Sequence, residues 1–212
     1  MTANQGERPK LRKVSQQSPV TINPTTWVNE DKYPRTREVI AEPPASLTRD
    51  DLRAEAVRFH RDPTEEYAKL LFVKTMMWGS GKSNGRGPRY TNQALESGLV
   101  AKGMSDIRRF LSHSNIVAAY HVKISGVGEA FHTKLLWVVG SALPGLTPKP
   151  LILDGRVRAG IRRLPEFDRN RLTSIRGAAK RYLEYLAFCR EWVGEHGEPE
   201  DAEYTLYLPN DK

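Results

Sequence analysis

Apolar residues recur at helical spacing along most of the chain. Positions 67, 70, 71, 73, 76 and 77 share one face. They predict a helix that opens at Asp62-Pro63, with the aspartate as N-cap and the proline at the first helical position, and ends at Gly79. Thr48 with Asp51 marks an earlier start, so 49–60 is predicted as a short helix. Short helical runs follow near 91–101 and 105–112, then at 115–124 and 129–139. Positions 172, 175, 179, 182, 183, 186, 189 and 193 keep one face of a long helix, 169–193, which Gly194 and Gly197 stop. The tail AEYTLYLP, 202–209, alternates enough to predict a short extended segment docked on the body. Residues 1–45 carry Pro9, Pro19, Pro24, Pro34, Pro43 and Pro44 and no sustained period. They read as an extended, partly disordered arm with a mobile basic start, packed through Trp27 and Tyr33. The pattern predicts an all-α domain over 46–212 behind that arm, with no internal repeat.

The chain is organised around 124–164. Gly126-Val127-Gly128 makes a tight turn between two helical runs, and together they predict a helix–hairpin–helix unit over 115–139. A turn this short calls for positive φ, which glycine adopts at little cost. It also aims free amide N–H groups outward at a helix N-terminus, where they can hold a phosphate. Lys134 lies on the helix after the turn. A Pro-rich loop then leads to Leu151-Ile152-Leu153-Asp154, an apolar run closed by an aspartate, which opens a basic helix over 155–164.

Hairpin, lysine, then an aspartate between an apolar run and a basic helix resembles the helix–hairpin–helix DNA glycosylases, in particular the bacterial branch related to 8-oxoguanine DNA glycosylase. The resemblance is specific over about 115–164, looser over 64–114 and 165–208, and absent from the first 45 residues. It implies a two-lobed helical fold with a DNA cleft between the lobes. It also implies an enzyme that flips a nucleotide out of the duplex and cuts its N-glycosidic bond. In bifunctional members a lysine attacks the sugar C1′ and forms a Schiff base, while an aspartate stabilises the cationic sugar or helps deprotonate the nucleophile. The matching positions are Lys134 and Asp154. In the best-known members the lysine is the second residue after the turn, where this chain has Ala130. Lys134 follows four residues later, about one helical turn, and so projects from nearly the same face about 6 Å further along.

Charge narrows the partners. The net charge is +8, which fits a polyanion. Between 156 and 181 nine basic residues, Arg156, Arg158, Arg162 and Arg163 among them, face only Glu166 and Asp168, a surplus expected of a phosphate-facing surface. The glycine-rich loop 79–90, GSGKSNGRGPRY, adds Lys82, Arg86 and Arg89 and no acid. It reads as a cationic loop at the mouth of the cleft, able to hold the DNA backbone or reach an extruded base. Its Gly81-Lys82-Ser83 is not a nucleotide-binding loop: Met76 stands where the first glycine is required, and a helix precedes it instead of a strand. Trp78, Phe131 and Trp137 are candidates to stack on an extruded base, and His132 is a candidate pocket residue, although each also fits a packed core.

The single Cys189 excludes a disulfide framework and the four-cysteine iron–sulfur cluster of some such glycosylases. No apolar run approaches membrane-spanning length, and the N-terminus is not a signal peptide. The sequence therefore predicts a soluble, cytoplasmic, monomeric DNA glycosylase, with or without β-lyase activity, that needs no metal or cofactor. Its substrate is double-stranded DNA bearing a damaged or modified base, in repair or in defence against modified phage DNA. The rival is a non-catalytic helix–hairpin–helix DNA-binding protein, which would keep the hairpin and basic helix without needing Lys134 or Asp154.

Overall fold

The computed structural model of the protein describes residues 7–81 and 85–209. The first segment, from residue 7 to Leu47, is the arm. It has a 3-10 turn at Val14–Gln16, β1 (Val20–Thr21), α1 (Pro24–Trp27), α2 (Pro34–Val39) and β2 (Ser46–Leu47). The two strands pair antiparallel, Val20 opposite Leu47. Trp27 is buried, as expected; Tyr33 is half-buried. The start of the arm is anchored by charge. Arg8 makes a bidentate pair with the buried Asp168 at 2.6 and 2.8 Å, and Lys13 pairs with the buried Asp201 at 2.9 Å.

The body begins with α3 (Arg49–Arg61), opened by a capping box in which Thr48 and Asp51 satisfy each other's backbone amides. In α4 (Glu65–Ser80) the N-cap is Thr64, not Asp62, and the helix runs through Gly79 to end at Gly81, whose φ is +54°. Then come α5 (Arg86–Glu96), α6 (Val100–Ser112), α7 (Ile116–His121) and α8 (Glu129–Ser141). Residues 86–90, read from sequence as loop, are the first turn of α5. After α9 (Gly155–Ile161), the predicted 169–193 helix is two helices: α10 (Glu166–Thr173) and α11 (Ala178–Val193). Gly177, at φ +95°, breaks them apart. The predicted extended tail is a helix, α12 (Pro199–Tyr207), with Pro199 at its start and Glu200 and Asp201 in its first turn.

The fold is all-α, with one short two-stranded ribbon among the described residues. One group of helices gathers on α4, which packs on α3, α5, α6 and α8; the other gathers on α12 and α11, with α9 and α10, and α7 joins the two by packing on α6 and α11. α8, buried from His132 to Gly140, packs on α3, α4, α6 and α7 and reaches the other group through side-chain bonds to Leu153, Asp154 and Glu200. In the second group α9 and α12 approach closely at Gly160, where a Cβ would meet the Leu206 carbonyl oxygen at 2.1 Å. Gly160→Ala should therefore destabilise the protein by about 3 kcal/mol, read as a lower urea midpoint with an unchanged slope. An unchanged midpoint would mean that the two helices can slide apart freely.

Candidate active site

Asp154 stands at the end of an extended run with no sheet to pair with. The polar groups of Leu151–Leu153 must find other partners, and side chains supply them. Tyr182 Oη accepts from the Leu151 amide at 3.1 Å and donates to its carbonyl at 2.7 Å. Glu203 accepts from the Ile152 amide at 2.9 Å, Tyr185 Oη donates to the Ile152 carbonyl at 2.9 Å, and Thr133 Oγ1 accepts from the Leu153 amide at 3.0 Å. These bonds come from α8, α11 and α12 and fix the aspartate in place.

The carboxylate divides its work. Oδ1 accepts from the Arg156 and Val157 amides at 3.0 and 3.1 Å, capping α9. Oδ2 accepts from Lys134 Nζ at 2.7 Å. Burial pushes the Asp154 carboxyl up, but the Lys134 ammonium and the two capping amides outweigh it, leaving it below the usual carboxylate range. Lys134 is only 5% exposed. Its room comes from Gly79 on α4, where a Cβ would stand 2.8 Å from Lys134 Cδ and 2.8 Å from the Phe131 ring.

Both residues open on a cavity of about 650 Å³, the size of a small-molecule site. Ala130 and Lys134 line it together, so the one-turn shift leaves both positions facing the same space. Trp78, Phe131 and Tyr207 supply aromatic surface. Gln17 and Val20 of the arm, with Arg49 of α3 and Glu203 of α12, complete it. Arg49 and Glu203 form a buried ion pair at 2.5 Å.

The other predicted site residues divide. Trp137 is not in the lining: it is buried against Trp78 at 5.4 Å, under the Arg49 guanidinium at 4.6 Å, with Nε1 donating to Glu200 at 2.6 Å. His132 is not in the lining either. Its Nε2 lies 3.2 Å from the Ala119 carbonyl, and burial pushes its pKa down, as for a structural histidine. Lys82 lies outside the described residues. Arg86 and Arg89 are exposed on α5 and away from the cavity, Arg89 stacking on Tyr90 at 4.8 Å.

In the hairpin only Gly126 has positive φ, +76°. Gly128 sits at φ −77°, ψ 166°, extended backbone that any residue adopts, with open space where a Cβ would be. The sequence-based need for positive φ therefore holds at the first glycine alone. Gly128 is exposed, and the N-terminus of α8 behind it has no side-chain cap. On α9, Arg158 is held by Glu129 at 2.7 Å, and Arg156 by Tyr207, to whose Oη it donates at 2.7 Å. Arg162 is exposed with no ion pair among the described residues.

A buried lysine thus pairs with a capping aspartate beside a helix–hairpin–helix turn in an all-α body. The chain belongs to the family described as "Putative 8-oxoguanine DNA glycosylase OGG-like protein", whose model matches residues 13–207. No curated protein matches the chain, and no solved structure does. Among the described residues no helix is long and apolar enough to cross a membrane.

Sequence reasoning missed Arg49, Gln17 and Glu203. Arg49 lies in a mixed-charge stretch, RDDLR, that reads as solvated surface, and Glu203 follows an acidic run inside the tail read as an extended segment. A signal was available for Glu203: an unpaired apolar run at 151–153 demands side-chain partners, and acidic or hydroxyl residues on an otherwise apolar helix supply them.

Proposed function

We propose that this protein is a DNA glycosylase that extrudes a damaged or modified nucleotide from double-stranded DNA and excises its base, with Lys134 and Asp154 as the catalytic pair. The observation that carries the reading is the 2.7 Å contact between a nearly buried lysine and a capping aspartate at a cavity large enough for a nucleoside. A purely DNA-binding role leaves that cavity and pair without a purpose.

In this reading Lys134 transfers a proton to Asp154 as the extruded sugar displaces water and disfavours separated charges. The neutral amine attacks C1′. The C1′–N bond breaks, and its electron pair leaves with the base, which takes up a proton. Opening of the sugar then gives a Schiff base at Lys134, from which β-elimination can cut the strand. If Lys134 instead keeps its proton, Asp154 activates a water and the enzyme is monofunctional. The test is a panel of duplexes bearing oxidised, deaminated, hydroxymethylated or glucosylated bases, scored for released free base. Release from phage-type modified bases alone assigns the protein to defence; release from common lesions assigns it to repair. No release from any duplex overturns the reading.

The hairpin and α9 act on the backbone in this proposal. Gly126→Val should cost about 1–2 kcal/mol in stability through its positive φ. Gly128→Val should leave stability unchanged and weaken DNA binding, because its missing Cβ lets a phosphate reach the α8 amides. Arg162→Ala should weaken all duplexes alike and reduce the slope of log K against log salt by about 0.9. Both are read by anisotropy across salt concentrations; a sequence-selective loss would contradict backbone contact.

A further inference from the structure

The inner wall of the cavity holds polar groups that the lysine–aspartate chemistry does not use. Arg49, the first residue of α3, is 8% exposed. Its Nε donates to Gln17 Oε1 at 2.7 Å and its Nη2 to Glu203 Oε1 at 2.5 Å. The guanidinium is held over Trp137 and Trp78, 4.6 and 5.4 Å from their ring centroids. Arg49 Nη1 is buried with no hydrogen-bond partner among the described residues, and so is Ser80 Oγ, from another residue lining the same cavity. Glu203, by contrast, is occupied on both oxygens, by Arg49 and by the Ile152 amide.

An unmet buried donor costs about 1–3 kcal/mol, and native structures leave few of them. A guanidinium can only donate, and its fork is locked here by two bonds and two aromatic faces. The ligand that relieves it must bring an acceptor. Ser80 can rotate its hydroxyl to donate to a neighbouring one.

Building on the glycosylase reading, we propose that Arg49 and Ser80 select the base: they donate to exocyclic oxygens on its edge, so the enzyme takes oxygen-bearing bases and discriminates against rings that lack them. Arg49 and Ser80 are specificity residues. The chemistry stays with Lys134 and Asp154 at the sugar. Specificity then lies in the inner wall, away from Arg86 and Arg89.

The test separates recognition from cleavage by using 2′-fluoro nucleotides, whose glycosidic bond resists rupture because fluorine destabilises a cationic sugar. Duplex affinities are measured for 2′-fluoro-2′-deoxyinosine, for the same nucleotide with unsubstituted purine, and for an abasic analogue. Wild type should prefer the oxygen-bearing base by about tenfold or more. Ser80→Ala breaks no bond within the protein and Arg49→Lys keeps the charge opposite Glu203, so both should fold. Each should shrink that preference severalfold and leave abasic affinity unchanged. No preference in wild type, or a preference that survives both substitutions, overturns the proposal. A preference without base release from any duplex in the panel would instead sink the glycosylase reading and leave base selection by Arg49 and Ser80 standing.

Discussion

Lys134→Gln should abolish covalent trapping by borohydride and lower base release by roughly 10⁴-fold or more, as losing a nucleophile does elsewhere. Glutamine keeps an N–H to offer Asp154 Oδ2, so the capped start of α9 has every reason to survive. Duplex binding, which depends on the hairpin and α9 in our reading, should change little. Single-turnover release at saturating enzyme, with circular dichroism as the folding control, separates these effects. Undiminished release from Lys134→Gln would remove the lysine from the chemistry. A wild-type enzyme that releases base but is never trapped would make it an electrostatic partner of Asp154.

The second large effect is expected at Asp154. Asparagine still caps α9, but it no longer opposes the positive charge on the sugar or takes a proton from Lys134. The rate should fall by about 10²–10³-fold. Stability should fall too, by about 3 kcal/mol, because a buried ammonium loses its counter-charge; the pair is more than a cap. The pH dependence follows by sign. A carboxyl held below its unfolded value contributes stability that is complete above the unfolded pKa, about 4, and is lost as pH falls through the lower folded value. Wild type should therefore lose stability in acid below about pH 4 more steeply than Asp154→Asn. Parallel curves would mean that the carboxylate gains nothing from Lys134.

The parts of the protein legible in its sequence are those written locally. The hairpin is marked by Gly126-Val127-Gly128, although only Gly126 needs its positive φ, and α8 and the Asp154 cap follow from adjacent residues. The Lys134–Asp154 contact spans 20 residues and was carried by a family resemblance. Local pattern failed where packing on all sides overrides it. α12 is buried from Asp201 to Leu206, so its polar and apolar residues obey no single face, and the alternation of AEYTLYLP looks extended. The apolar spacing of 169–193 runs across Gly177 and so hides the break, where the backbone turns and α10 packs back on α11. Arg49 and Glu203 meet across a separation of 154 residues, beyond the reach of any window on the sequence.

The anchored arm has a bearing on how the protein is made. Arg8 waits for Asp168, Lys13 for Asp201, and Gln17 reaches a cavity that also needs Glu203. On the ribosome these first residues emerge long before their partners. The nascent chain can build helices and the hairpin early, because those contacts are local, but it has no closed pocket until α12 is synthesised. In our reading, an unfinished chain can thus carry the hairpin that meets the DNA backbone with no closed pocket in which to attack the sugar.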